Sequence, residues 1–152
     1  MSLAVSGSQG QASVEISNGD FEYVFSAQLP SGGSVFGTTV PLETIGVTNG
    51  IFKVKVIDAQ GETQYTAAFG KCDLNCCIAK KLETILDCDC SCKKCNSDLL
   101  TAERVQLLIL GIEADLAQIG SDTEKNAAFY TTAERKYAKA LELCSDDCGC
   151  SC

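Results

Sequence analysis

Ile51-Phe52-Lys53-Val54-Lys55-Val56-Ile57-Asp58 alternates apolar and polar residues from Phe52 to Val56. Leu74, Ile78, Leu82 and Ile85 follow at spacings of four, four and three. The first pattern puts successive side chains on opposite faces of a strand, and the second draws an apolar stripe down a helix. The hydrophobic period thus changes from two to 3.6 near Gly70-Lys71. That switch decides the fold class, which is α+β in two parts. Residues 1–70 read as an antiparallel β-sandwich domain, and residues 71–152 as a cysteine-rich helical domain.

Working back from residue 51, Ala12-Ser13-Val14-Glu15-Ile16-Ser17 alternates, and Phe21-Glu22-Tyr23-Val24-Phe25 is aromatic and β-branched. Thr63-Gln64-Tyr65-Thr66-Ala67-Ala68-Phe69 follows Ala59-Gln60-Gly61, a hairpin signal. Asn18-Gly19-Asp20, Pro30 to Gly33 and Thr48-Asn49-Gly50 mark further turns. Six or seven short strands at this spacing predict a small sandwich, with Lys53 and Lys55 pointing outward. Asn49-Gly50-Ile51-Phe52-Lys53-Val54-Lys55-Val56 and Asp58-Ala59-Gln60-Gly61 resemble the closing strands of bacterial immunoglobulin-like repeats. That resemblance implies an immunoglobulin-like sandwich used for adhesion or as a spacer. On the residues alone, any antiparallel hairpin fits as well.

Forward from Asp73, three helices are expected. The second runs over residues 97–119 and stops at Gly120. It is apolar nearly all round (Val105, Leu107, Leu108, Ile109, Leu110, Ile112, Leu116), which makes it the buried central helix. Ser121-Asp122-Thr123-Glu124 has capping-box form and starts the third, whose stripe is Tyr130, Ala133, Tyr137, Ala140, Leu141 and Cys144. A very short turn makes helices two and three an antiparallel hairpin. Tyr130-Thr131-Thr132-Ala133-Glu134-Arg135-Lys136-Tyr137-Ala138-Lys139-Ala140-Leu141-Glu142-Leu143 is similar to the second helix of a tetratricopeptide repeat. No second copy follows at a 34-residue period, and stacking is what stabilises such repeats. The hairpin is therefore expected to rely on cysteines in place of neighbouring repeats.

All eleven cysteines lie beyond residue 71. Cys72, Cys76 and Cys77 open helix one; Cys88, Cys90, Cys92 and Cys95 follow it; Cys144, Cys148, Cys150 and Cys152 end the chain. Two clusters match, Asp87-Cys88-Asp89-Cys90-Ser91-Cys92 and Asp147-Cys148-Gly149-Cys150-Ser151-Cys152. Cys72 and Cys76 share a helix face, as do Cys144 and Cys148, and Cys92-Lys93-Lys94-Cys95 has zinc-knuckle spacing. The chain has no histidine, so a metal site here is built from sulfur, with oxygen as the other option. All-thiolate zinc sites are normally closed and structural. Roughly two zinc ions with about eight ligands fit the spacing, drawn from Cys72, Cys76, Cys88, Cys90, Cys92, Cys95, Cys144, Cys148, Cys150 and Cys152. Lys80, Lys81, Lys93 and Lys94 would offset their charge, and Asp87, Asp89, Asp146 and Asp147 oppose it. Disulfides take the place of zinc if the chain is oxidised; free thiols, an iron–sulfur cluster and a metallothionein-like cluster are further readings. The helical phase puts Cys77 with Leu74 and Ile78, as the spare cysteine in the core. The terminal cysteines are expected to pack back onto Cys88 to Cys95.

The formal net charge is −8, and the parts before and after residue 70 hold two basic against six acidic and ten against fourteen. Nucleic-acid binding needs clustered Lys and Arg, so it is not expected. The N-terminus lacks the basic start and apolar core of a signal peptide, and no run reaches the length of a membrane span. A cytoplasmic site of synthesis follows, where cysteine clusters mean metal more often than disulfide. Without histidine, no histidine-based nucleophile–base pair forms, and neither an enzyme nor a small-molecule substrate is expected. The expected function is a structural or adaptor protein with protein partners, as a homo-oligomer or part of a larger assembly. The architecture, a small immunoglobulin-like domain with a cysteine-rich companion, resembles accessory virion proteins of tailed bacteriophages, which implies a place in the virion. The alternative is a cytosolic metal-handling or thiol redox-sensing protein.

Overall fold

The structure is a computed structural model. It describes the backbone of residues 2–7, 10–29, 36–86 and 93–144, and the side chains of 10–26, 42–86 and 96–144. Six strands come first: β1 (Ser2–Gly7), β2 (Gly10–Asn18), β3 (Phe21–Leu29), β4 (Phe36–Pro41), β5 (Asn49–Ile57) and β6 (Thr63–Lys71). A 3-10 turn, Leu42–Ile45, separates β4 from β5. Three helices follow: α1 (Cys72–Leu86), α2 (Lys93–Ala117) and α3 (Thr123–Leu143). The fold is α+β.

β1 and β4 form an antiparallel pair, and β3-β2-β5-β6 form a four-stranded antiparallel sheet. The β5–β6 hairpin turns on Asp58, whose buried carboxylate accepts the amides of Gln60 (3.0 Å) and Glu62 (2.9 Å). Gly61 sits there at φ +81°, a left-handed conformation that favours glycine. Period two then sorts the sheet. Ala12, Val14, Ile16, Phe52, Val54, Val56 and Ala68 share one face and form a core with Leu42 and Val47 from the segment before β5. Phe21 meets Phe52 edge-on at 5.4 Å.

The opposite face is covered by helices. Ile51 and Phe69 from the sheet join Leu74 of α1, Val105, Ile109 and Ile112 of α2, and Tyr130, Ala133 and Ala140 of α3 in a second core. The handover from sheet to helix leaves no linker, since β6 ends at Lys71 and α1 begins at Cys72. Gly70 lies so close to residues 48–49 that a Cβ there would meet the Thr48 and Asn49 backbone at 2.5 Å. The Cys72 amide donates to the Thr48 carbonyl (3.2 Å), and the Asp73 amide to Asn49 Oδ1 (2.7 Å). A residue of β5 thus satisfies an open donor in the first turn of α1.

Three local expectations differ from the structure. Lys53 and Lys55 do point away from the first core, Lys53 exposed and Lys55 partly so, but the face they share carries helices, because Ile51 two residues earlier is packed there. The α3 N-cap is Asp122, whose side chain accepts from the Lys125 amide, so the cap falls one residue after Ser121. α2 is not buried all round. Its inner face (Ala102, Val105, Ile109, Ile112) is sealed, while Leu107 is 67% and Leu110 51% exposed. The helix has α1 on one flank, α3 on the other and the sheet beneath, which leaves its outer side open. Leu82 on α1 is likewise 45% exposed.

α2 and α3 form the expected hairpin. Asn126 is buried where the chain turns, and its side-chain amide takes the Gly120 amide (2.9 Å) and donates to the Gly120 carbonyl (2.7 Å). Half-buried Lys136 of α3 reaches Asp115 of α2 at 2.6 Å.

Candidate functional site: the cysteine staple

A covalent tie between two described residues closes the helical layer. Cys77 of α1 and Cys144, which caps the C-terminus of α3, form a disulfide with a Cα–Cα distance of 5.8 Å and a sequence separation of 67. Helical phase explains the partner choice. Cys77 comes three residues after fully buried Leu74, so it points into the second core and is 2% exposed. Cys144 packs against that core from the other end, its amide held by the Ala140 and Leu141 carbonyls (3.0 and 3.1 Å). Helical phase alone predicts Cys77 as the spare thiol of the core. The structure reverses this: Cys77 is paired, and its neighbour Cys76, turned about 100° round the helix, is a free, partly buried thiol.

Cys72 is also disulfide-bonded. Of the other expected ligands, Cys95 is placed in the first turn of α2 with its side chain outside the described residues. Cys88, Cys90, Cys92, Cys148, Cys150 and Cys152 lie outside them altogether, as does the expected packing of the terminal cluster onto the middle one. Among the described residues no group of three or more histidine, cysteine, aspartate or glutamate residues gathers to hold a metal ion. Lys81, expected to balance thiolates, lies 3.8 Å from Asp98 of α2, both largely buried.

A second constellation was missed by the sequence reading. On the helix-facing side of the sheet the polar residues fall in two cross-strand rows, Glu15–Lys55–Tyr65 and Ser17–Lys53, the second ending on apolar Ala67. Together with Thr123, Asn126, Ala127 and Tyr130 of α3, residues of these rows line a cleft of about 290 Å³. Tyr130 forms its inner wall. The phenol donates to the Thr66 carbonyl, and Lys53 Nζ lies over the ring, 5.4 Å from its centroid. Burial pushes the Tyr130 hydroxyl up to about 12 from an ordinary value of 10.0, and a backbone hydrogen bond at Val54 acts in the opposite direction. The signal in the sequence was the pair of words Glu15-Ile16-Ser17 and Lys53-Val54-Lys55. Both put charge on the face opposite the first core, and that face turns out to have a helix over it.

Comparison with known proteins finds no matching family model, no significantly similar curated protein and no significantly similar solved structure. No described helix is long and apolar enough to cross a membrane.

Proposed function

We propose that the chain is a non-catalytic structural or adaptor protein, a β docking domain carrying a helical layer locked by cysteines. The observation that carries this reading is the Cys77–Cys144 tie, which joins the start of the helical part to its end across a shared core. A small helical module gains rigidity from such a staple. The partners are proteins, either further copies of this chain or components of a larger assembly such as a phage virion. The outer side of α2 supports that, because Leu100 (48% exposed), Leu107 and Leu110 offer apolar contact to a neighbour. The finer form of the fold reading, an immunoglobulin-like sandwich, draws its support from the second antiparallel sheet made by β1 and β4.

Zinc remains the competing occupant of the cysteines in a reduced chain, with about two all-thiolate ions proposed. The test is elemental analysis with free-thiol counting on protein purified aerobically and under reductant. The structural reading expects a fixed zinc stoichiometry or a fixed disulfide count, and helicity that falls when both chelator and reductant are present. A variable metal load with unchanged helicity contradicts it. The redox-sensing alternative has one observation in its favour. Free Cys76 sits beside disulfide-bonded Cys77 and one helical turn after disulfide-bonded Cys72, a placement that suits thiol–disulfide exchange.

A further inference from the structure

The cleft between the sheet and α3 has the chemistry of a binding site, and its charged residues, Glu15, Lys53 and Lys55, belong to neither core nor to the staple. Its floor is the charged row of the sheet. Glu15 and Lys55 stand directly across from one another on β2 and β5, and Lys53 follows two residues before Lys55 on the same face. Among the described residues, neither lysine nor Glu15 is in an ion pair. Lys53 is held instead over the Tyr130 ring, a cation–π placement that fixes its ammonium at the cleft wall. Ser17, Tyr65 and Thr123 add hydroxyls to the lining, and Ala127 and the Tyr130 ring supply an apolar side.

Two ammonium groups and one carboxylate line the space, so its fixed charge is that of a single cation. A monoanion balances it. A phosphate dianion would leave an unbalanced negative charge facing Glu15. The volume, about 290 Å³, lies at the low end of ligand pockets and admits a carboxylate with a ring or short aliphatic chain. We propose that this cleft binds a carboxylate carried on an apolar group, with Lys55 and Lys53 holding the anion and the Tyr130–Ala127 wall holding the apolar part. The carboxylate could belong to a free organic acid or to the C-terminal residue of a partner peptide. The proposal rests on the cleft and stands apart from the adaptor reading.

The experiment is an NMR titration of the full-length protein with benzoate, benzamide and inorganic phosphate. A second pair of probes is a short peptide ending in phenylalanine, as free acid and as amide. The expected result is saturable benzoate binding, with shifts confined to residues 15–17, 53–55, 65 and 123–130. Benzoate should bind at least about tenfold tighter than benzamide or phosphate, as charge-assisted contacts require. Lys55→Gln should weaken benzoate about tenfold. Glu15→Gln, which leaves two uncompensated cations, should strengthen benzoate and bring phosphate within reach. The two variants push affinity in opposite directions, so loss of fold cannot imitate the pair. A free-acid peptide that outbinds benzoate identifies the source as a protein terminus; equal or weaker peptide binding identifies a small acid. Benzamide binding as well as benzoate, phosphate binding as well as benzoate, no saturation, or unchanged affinity in Lys55→Gln each overturns the proposal.

Discussion

Cys76 and Cys77 are neighbours in sequence with opposite chemistry, because one helical step turns one toward the core and the other aside. Removing the tie with Cys77→Ala and Cys144→Ala together should lower the unfolding free energy by about 2–5 kcal/mol under non-reducing conditions. Urea denaturation of both proteins, with and without reductant, measures this; the gap should close when the wild type is reduced. Cys76→Ala should leave the midpoint nearly unchanged. Tyr130 allows a second prediction. Its folded-state pKa is raised from 10.0 to about 12, so the folded protein holds that proton more tightly than the unfolded chain. The contribution is fully present below pH 10 and is lost as pH rises from 10 toward about 12. The stability difference between wild type and Tyr130→Phe should therefore shift against the wild type between about pH 9 and pH 11.5. A difference that stays constant across that range would contradict the burial of the hydroxyl. At neutral pH the Phe variant should lose about 1 kcal/mol, the hydrogen bond to the Thr66 carbonyl.

At the level of elements, α2 separates what a sequence shows from what it hides. The change of period, the strands β2, β3, β5 and β6, and the α2–α3 hairpin were legible, because alternation and helical repeats survive without tertiary information. The open side of α2 was not. With leucine on both sides of the helix, the pattern marks no single inward face, and only packing against α1, α3 and the sheet selects Val105, Ile109 and Ile112 over Leu107 and Leu110. The two sides should respond differently to substitution. Ile109→Ala should cost about 2–5 kcal/mol, the usual range for truncating a buried isoleucine. Leu107→Glu should change stability by less than about 0.5 kcal/mol while reducing self-association or partner binding, read by sedimentation velocity and thermal melts. The lysines of β5 hid for the same reason. Alternation says that Lys53 and Lys55 share a face, and it is silent on whether that face meets water or a helix.

For the whole molecule, the sequence divides at residue 70, yet the second core draws on both sides of that line. Ile51 and Phe69 are covered by α1, α2 and α3, and Asn49 caps α1. A fragment of residues 1–70 would expose Ile51 and Phe69 and lose that cap. It should be several kcal/mol less stable than the sheet in the full chain, at about 2 kcal/mol for each large apolar side chain uncovered. Circular dichroism and amide exchange of fragment and full chain compare them; equal protection of β5 and β6 amides would show that the helices add nothing to the sheet. What closes the fold from the far end is the cysteine chemistry, and its pairing was the least legible feature, since spacing alone allows many connections among eleven cysteines. Peptide mapping by mass spectrometry, on unreduced protein alkylated before digestion, tests the staple most directly. The account predicts a cross-linked pair of peptides joining Cys77 to Cys144, with Cys76 alkylated. Alkylation of both Cys77 and Cys144 in protein that keeps its full helicity would contradict it.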